Sequence, residues 1–384
     1  MKRIWHVPCV AALLMLGGCG WFETTTEKPT PEAPSLGRPS NTVSEEPTGR
    51  PATKGEQALA EGVLAANLQA PWSIAYDPEA IYISERGGDI VALNQADGSQ
   101  QRQTLALEKE VHAEGEGGLL GLVLAANFST SRQAYAYHTY EESGTAYNRI
   151  VVLELLEDGS WRELRPLLEG IPGGAIHNGG RLALGPDGKL YATTGDAGQS
   201  ALAQELDSLA GKILRLNPDG SVPEDNPWAG SYVYSYGHRN PQGIAWSQEG
   251  TMYAAEHGPS GNPGGHDELN RIEAGANYGW PDVIGDETGD GLTAPLYHTS
   301  QATLAPSGLA VDGEGRLLAA GLRGEQLLRF DPGTDEATTV LEGEGRLRDV
   351  LLLGEWMYVL TNRTDGRGQP QADDDRLLRI SMNS

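Results

Sequence analysis

LYATTGDAGQSALAQELDSLAGKILRLN (190–217) opens on a short strand pattern, Leu190 to Thr194, and closes on a second, Lys212 to Asn217. Between them lies a loop rich in Gly, Asp and Ser that can carry at most a short helical turn, at Ala201 to Leu209. The turn Pro186-Asp187-Gly188 precedes the first strand. The same unit recurs along the chain. Its first strand returns as IYISE (81–85), AYAYH (134–138), MYAAE (252–256), LLAAG (317–321) and MYVLT (357–361). Its second returns as DIVALN (89–94), RIVVLEL (149–155), ELNRIE (268–273), QLLRFD (326–331) and RLLRIS (376–381). Six copies at intervals of roughly 40 to 65 residues are the spacing of propeller blades with loop insertions, not of short solenoid repeats. The repeat predicts an all-β, six-bladed β-propeller. A single β-sandwich is the competing fold, but it rarely needs six strand–turn–strand repeats over this length.

Only part of the 384 residues is needed for those blades. Lys2 and Arg3 precede an apolar run from Val7 to Leu16 that ends in Leu-Gly-Gly-Cys at 16–19, the order of an export signal. The run is too short to span a bilayer. Leu16-Gly17-Gly18-Cys19 also resembles a bacterial lipobox, which implies cleavage after Gly18 and lipidation of Cys19. Residues 19–61 are dominated by Pro, Thr, Ser and Glu and read as an extended tether. The expected organisation is a lipoprotein signal peptide at 1–18, the tether at 19–61 and a propeller at 62–384. Both cysteines, Cys9 and Cys19, precede the propeller, so it has neither a disulfide nor a thiolate metal site. A net charge of −25 makes nucleic acid an improbable partner, because phosphates would be repelled. Membrane contact is expected only through Cys19. Gly20, in place of the Asp associated with inner-membrane retention, points to the outer membrane if the host is Gram-negative, within a periplasmic or cell-surface location.

The chemistry is concentrated between Ile176 and Pro281. IHNGGRL (176–182), GDAG (195–198), YGHRNPQG (236–243), EHGP (256–259), HDELN (266–270) and NYGWP (277–281) set polar side chains among Gly and Pro, as loops on a rigid scaffold do. Farther on, Arg346 and Arg348 lie two apart in an extended stretch and so share a face, suited to gripping carboxylates. Taken singly each signal is weak. A His in a Gly-rich loop is more often a hydrogen-bonded structural residue, Asp196 before Ala-Gly is ordinary turn chemistry, and strand arginines are usually solvated.

Together these motifs resemble the soluble pyrroloquinoline quinone (PQQ) dependent glucose and sorbosone dehydrogenase family, and within it the aldose sugar dehydrogenases. APWSIAYD (70–77), SERGG (84–88), GEGGLLGL (115–122), LAPSGLA (304–310) and GRLRDV (345–350) extend the match over nearly the whole propeller. The resemblance implies oxidation of an aldose at C1 to a lactone, with hydride passing to the quinone and electrons then to an external acceptor. It makes His177 the general base, a role for which a neutral imidazole is suited. It places Arg239 and Asn240 at the quinone, Arg346 and Arg348 at its carboxylates, and Arg323 where relatives have a basic residue. Asp196 orients the cofactor or His177. Calcium is the implied metal: Gly258 and Pro259 match carbonyls that hold the ion polarising the quinone, while Glu268 and Tyr278, the latter through its carbonyl, match a second, structural calcium site. Oxygen donors and the lack of His or Cys at zinc spacing agree with calcium. His257 and His266, nine residues apart, are expected to be structural.

Three departures bear on substrate choice. Glu116 stands where some relatives have Gln, adding a negative charge near an anionic cofactor. Ile176 replaces the Asp of a glucose-oxidising branch, so glucose preference does not carry over. The loop Ser260 to His266 is longer than in similar chains. Two other functions fit the fold: a calcium-dependent sugar lactonase, which has no use for Arg346 and Arg348, and a cofactor-free propeller that binds a glycan or protein.

Overall fold

The computed structural model describes residues 61–261, 264–287 and 289–382, so the signal peptide and nearly all of the tether lie outside the described residues. Among the described residues the strands form six sheets, antiparallel but for one added strand, each repeat supplying one. The structure adds strands to the two legible in each repeat. In the third sheet Leu190–Thr194 and Lys212–Leu216 are the middle pair, flanked by Leu182–Leu184 inside and Val233–Tyr236 outside. Residues 190–194 and 212–216 are buried throughout, as expected of strands covered on both faces by neighbouring blades. The expected turn between them is a short 3-10 helix at Ser200–Gln204. The second sheet gains a fifth strand, Leu105–Ala106, parallel to Trp161–Pro172.

The ring is closed by the beginning of the domain. Gly62–Ala65 pairs antiparallel with Leu377–Ser381 and completes the sixth sheet, which otherwise holds Leu347–Leu353 and Trp356–Thr361. Closure buries an edge that would otherwise offer unpaired backbone groups.

Apolar packing is likewise cyclic. Six hydrophobic clusters join adjacent blades: Leu120 and Tyr137 meet Leu190 and Leu214 between the second and third, with Trp72 of the first blade added to them, and Ile81, Ile83 and Leu93 meet Tyr358 and Leu360 between the first and last. This distributed core stabilises a domain that has no cysteine to cross-link it. Near the axis the blades approach so closely that backbone meets backbone. A Cβ at Gly243 would stand 2.4 Å from the Ser307 carbonyl oxygen, and one at Gly308 would stand 2.1 Å from an Asp349 carboxylate oxygen, so only glycine fits.

Strand direction sorts the loops. Links from one blade to the next, and loops between the two middle strands of a blade, open on the same face. His177, Arg239 and Arg346 stand on the former; Asp196, Gly258, Arg323 and Arg367 stand on the latter.

Candidate active site

On that face the loops surround a cavity of about 730 Å³, a size suited to a drug-sized or larger ligand, bordered by Glu116, His177, Arg239, His257, Arg323 and Arg346. His177 sits at φ +58°, a left-handed conformation costly for a residue with a side chain and common at functional sites. Several contacts hold it there. Its amide donates to Glu116 Oε2 at 2.7 Å, and its carbonyl accepts from Ala197 N at 3.1 Å. Gly195 must be glycine, because a Cβ would fall 2.0 Å from that same carbonyl oxygen.

The imidazole of His177 is oriented by Asp196. Nδ1 lies 2.7 Å from Asp196 Oδ1, which also accepts from Gly198 N at 2.8 Å, while Oδ2 accepts from the indole nitrogen of Trp280 at 2.8 Å. Burial pulls the pKa of Asp196 upward, but His177, Gly198 and Trp280 outweigh it and hold the carboxyl below its usual value. An ionised Asp196 requires a proton on Nδ1 and leaves Nε2 as the acceptor. Of the two roles open to Asp196 in the sequence, the structure shows it behind His177 rather than on the cavity wall.

Arg239 lies across the cavity, its guanidinium 5.4 Å from the Trp280 ring and 3.3 Å from the His257 carbonyl. Asn240 is fully enclosed, its Oδ1 accepting from Gly179 N at 3.0 Å, which anchors the loop that carries His177. Its Nδ2 has no partner among the described residues.

Beside the cavity the protein is cationic: Arg346 borders it, and Arg86 and Arg348 line a small adjoining pocket of about 20 Å³. Arg346 reaches Asp365 at 2.9 Å and Arg348 approaches the same carboxylate at 3.6 Å, so the pair does share a face. Arg181, ion-paired to Asp349 at 2.9 Å, stands 4.2 Å from the Trp72 ring, and Arg348 stands 5.8 Å from that ring. Arg86 joins them by donating to the carbonyls of Gly115 and Gly117. Burial pulls Arg348 down to about 9 against the attraction of Asp365, helped by Arg346, Arg86 and Arg181. Four guanidiniums thus share two carboxylates in a chain of net charge −25. Arg323 is exposed on the cavity wall.

The extra charge at Glu116 is neutralised locally. Arg367 donates to Glu116 Oε1 at 2.7 Å. Burial would raise Glu116, but the His177 amide and Arg367 hold it below its usual value. Glu116→Gln is expected to free Arg367 and remove a repulsive charge, tightening an anionic ligand about three- to tenfold, as rim charges do. Absorbance titration with PQQ at pH 7 measures the change.

A smaller cavity of about 10 Å³, room for about one water-sized sphere, adjoins the first and brings Gly258, Pro259, Glu268 and Tyr278 together. The sequence reading assigned these to two separate calcium sites. Glu256, Trp280 and Arg239 also border it, with Gly237, His257, Val283 and Ile284. Burial, reinforced by Glu256, pushes Glu268 up to about 8, and no cationic side chain pairs with it among the described residues. The Tyr278 hydroxyl is committed, donating to the Arg271 carbonyl at 2.6 Å, while its ring stacks on His238 at 4.7 Å. Gly258 must be glycine: a Cβ would lie 2.1 Å from the Gly265 carbonyl oxygen.

His257 departs from expectation. It lies in the wall of the main cavity, its Nε2 without a partner among the described residues, and burial lowers it to about 4 so that it stays neutral. His266 does stand apart, stacked on His298 at 5.4 Å. Ile176 is 40% exposed beside His177, and Ser260, Gly261, Gly264 and Gly265 border the cavity. Arg86, Arg181, Asp365 and Arg367 were not singled out from sequence, although Arg86 and Arg181 fall inside quoted motifs.

The match of residues 68–378 to the glucose / sorbosone dehydrogenase family model makes this chain a member of that family. It is 33% identical over 284 residues to quinoprotein glucose dehydrogenase B of Acinetobacter calcoaceticus, a match spanning 65% of this chain and 59% of that protein. It is 31% identical to aldose sugar dehydrogenase YliI of Escherichia coli K12, over 79% of this chain and 90% of the relative. Among solved structures, the PQQ-bound form of aldose sugar dehydrogenase from Streptomyces coelicolor superposes with a TM-score of 0.77 at 38% identity, covering 85% of this chain and 97% of that one.

Proposed function

We propose that this chain is a PQQ- and calcium-dependent aldose sugar dehydrogenase that oxidises its sugar at C1 to a lactone and passes the electrons to an external acceptor. The observation that carries this reading is the cationic cluster beside the cavity that His177 borders. A ligand with three carboxylates and a planar ring system suits a cavity of about 730 Å³ with surplus guanidinium charge. Buried atoms without partners among the described residues, Arg348 Nε in the adjoining pocket and His257 Nε2 in the cavity wall, are where its polar groups could be met. Oxygen donors suit calcium: the Glu268 carboxylate with the backbone of Gly258, Pro259 and Tyr278.

When bound, PQQ supplies the two-electron acceptor and calcium the Lewis acid that polarises it. The protein's part is to hold and move charge. Arg346, Arg348 and Arg323 would grip carboxylates, Arg239 and Asn240 would face the quinone oxygens, and Nε2 of His177 would take the C1 hydroxyl proton. Asp196 would fix the imidazole and stabilise it once protonated. A lactonase needs no such arginine cluster, and a pure binding propeller needs no oriented imidazole. Ile176 gives the sugar an apolar contact at the rim where a carboxylate would give a hydrogen bond. The leader and Leu16-Gly17-Gly18-Cys19 support export and lipid anchoring through Cys19, with the propeller held off an outer membrane by the tether.

Purified full-length protein, stripped of metal with a chelator, tests the reading by absorbance titration with PQQ. Saturable binding strengthened by calcium and lost again on chelation is expected. No binding with or without calcium would reject the cofactor assignment.

A further inference from the structure

We propose that Trp280 is a positioning residue for the oxidation: its indole N–H fixes Asp196, and through it His177, while its ring face holds Arg239. The inference rests on the function proposed above and adds a residue to it. Trp280 belongs to the fourth blade, in the long connection between Glu268–Ile272 and Tyr297–His298, yet it reaches back to a carboxylate of the third. Its backbone is fastened for this task. The amide donates to Gly237 O at 2.9 Å, and the carbonyl accepts from Gln204 Nε2 at 2.6 Å. Gln204 is itself clasped by Asn277, through contacts of 2.8 and 3.1 Å.

The geometry gives the ring two separable functions. Its edge donates to Asp196 Oδ2 at 2.8 Å, leaving Oδ1 to His177, and without that donor the carboxylate could rotate away from the imidazole. Its face meets the Arg239 guanidinium at 5.4 Å, a cation–π contact on a side chain with no carboxylate partner within ion-pair distance among the described residues. One side chain therefore sets both the proton acceptor and the cation opposite it. A misplacement of about 1 Å in such a pair can cost about a hundredfold in rate.

Trp280→Phe keeps the ring face and deletes the N–H. It is expected to lower kcat about ten- to a hundredfold, leave the PQQ dissociation constant within about twofold, and raise the acid limb of the kcat/KM profile by about half a pH unit. Trp280→Leu also removes the face and is expected to weaken PQQ about tenfold further. The other charged or titratable groups around His177 and Asp196 are Glu116, paired with Arg367, then Arg239 and His257; Trp280→Phe leaves the contacts of all of them in place, and Trp280→Leu disturbs only that of Arg239. Gln204→Met, which frees the Trp280 carbonyl without touching the ring, is expected to reproduce the kcat loss in part, should Trp280 variants fold poorly.

A readout on the cofactor-free protein separates this inference from the function it rests on. The Nδ1 proton of His177 gives a downfield proton resonance, identified by its loss in His177→Asn, and in Trp280→Phe that resonance should shift or broaden. An unmoved resonance with an unshifted pH profile would overturn the positioning role even if PQQ turnover is confirmed. A moved resonance in a protein that binds no PQQ would uphold the positioning of His177 and reject the quinone reading. Equal losses in Trp280→Phe and Trp280→Leu across all readouts would reduce Trp280 to packing.

Discussion

Replacing His177 with Asn should lower kcat for aldose oxidation about 10²- to 10⁴-fold, the range contributed by a positioned general base. PQQ affinity should stay within a few-fold, because the arginine cluster is untouched. The side chain is only slightly exposed and faces Asp196 at 2.7 Å, so its loss removes the proton acceptor without touching the arginine cluster. Steady-state dye reduction beside a PQQ titration separates the two effects. Activity retained within about tenfold would assign the base elsewhere.

Arg348→Met should have an equally large effect of the opposite kind, abolishing cofactor retention while sparing the fold. Truncating one member of a desolvated charge pair costs about 2–5 kcal/mol, so the PQQ dissociation constant should rise by about 30- to 4,000-fold. Arg348 is buried, and desolvation pulls its pKa from the usual guanidinium range down to about 9. Because the folded value lies below the unfolded one, the protonated guanidinium opposes folding at every pH below about 9, and that opposition fades as pH rises above 9. Losing it should leave the melting temperature of the cofactor-free protein unchanged or slightly raised, despite the hydrogen bonds given up to Gln242 and Ser307. A large fall in melting temperature with unchanged PQQ affinity would make Arg348 structural.

The fold was legible where the strands are enclosed. Leu190–Thr194 and Lys212–Leu216 are buried on both faces, which forces apolar runs that repeat six times. The flanking strands send no such signal. Glu336–Glu342 is exposed over almost its whole length and shows no apolar alternation, and three innermost strands begin at Pro71, Pro241 and Pro306, residues that argue against a central strand. Closure by Gly62–Ala65 joins segments more than 300 residues apart, beyond any local pattern.

The site divides along the same line. His177, Asp196, Arg239, Arg346 and Arg348 stand in recognisable motifs, and the structure gathers them around one cavity or directly behind its wall. What sequence hides is contact between blades. The pairing of Glu116 with Arg367, 251 residues away, turns an apparent excess of negative charge into a neutral pair. His257 looked structural because its spacing to His266 suits no metal, yet burial keeps it neutral in the cavity wall. Trp280 was visible within NYGWP, but nothing local shows that its indole crosses to the third blade.

Dye reduction by the full-length protein with a panel of aldoses, supplied with PQQ and calcium singly and together, tests the central claim most directly. The account predicts turnover only when both are present, with at least one aldose oxidised to its lactone. Turnover without PQQ, or PQQ binding with no aldose oxidised, would contradict it.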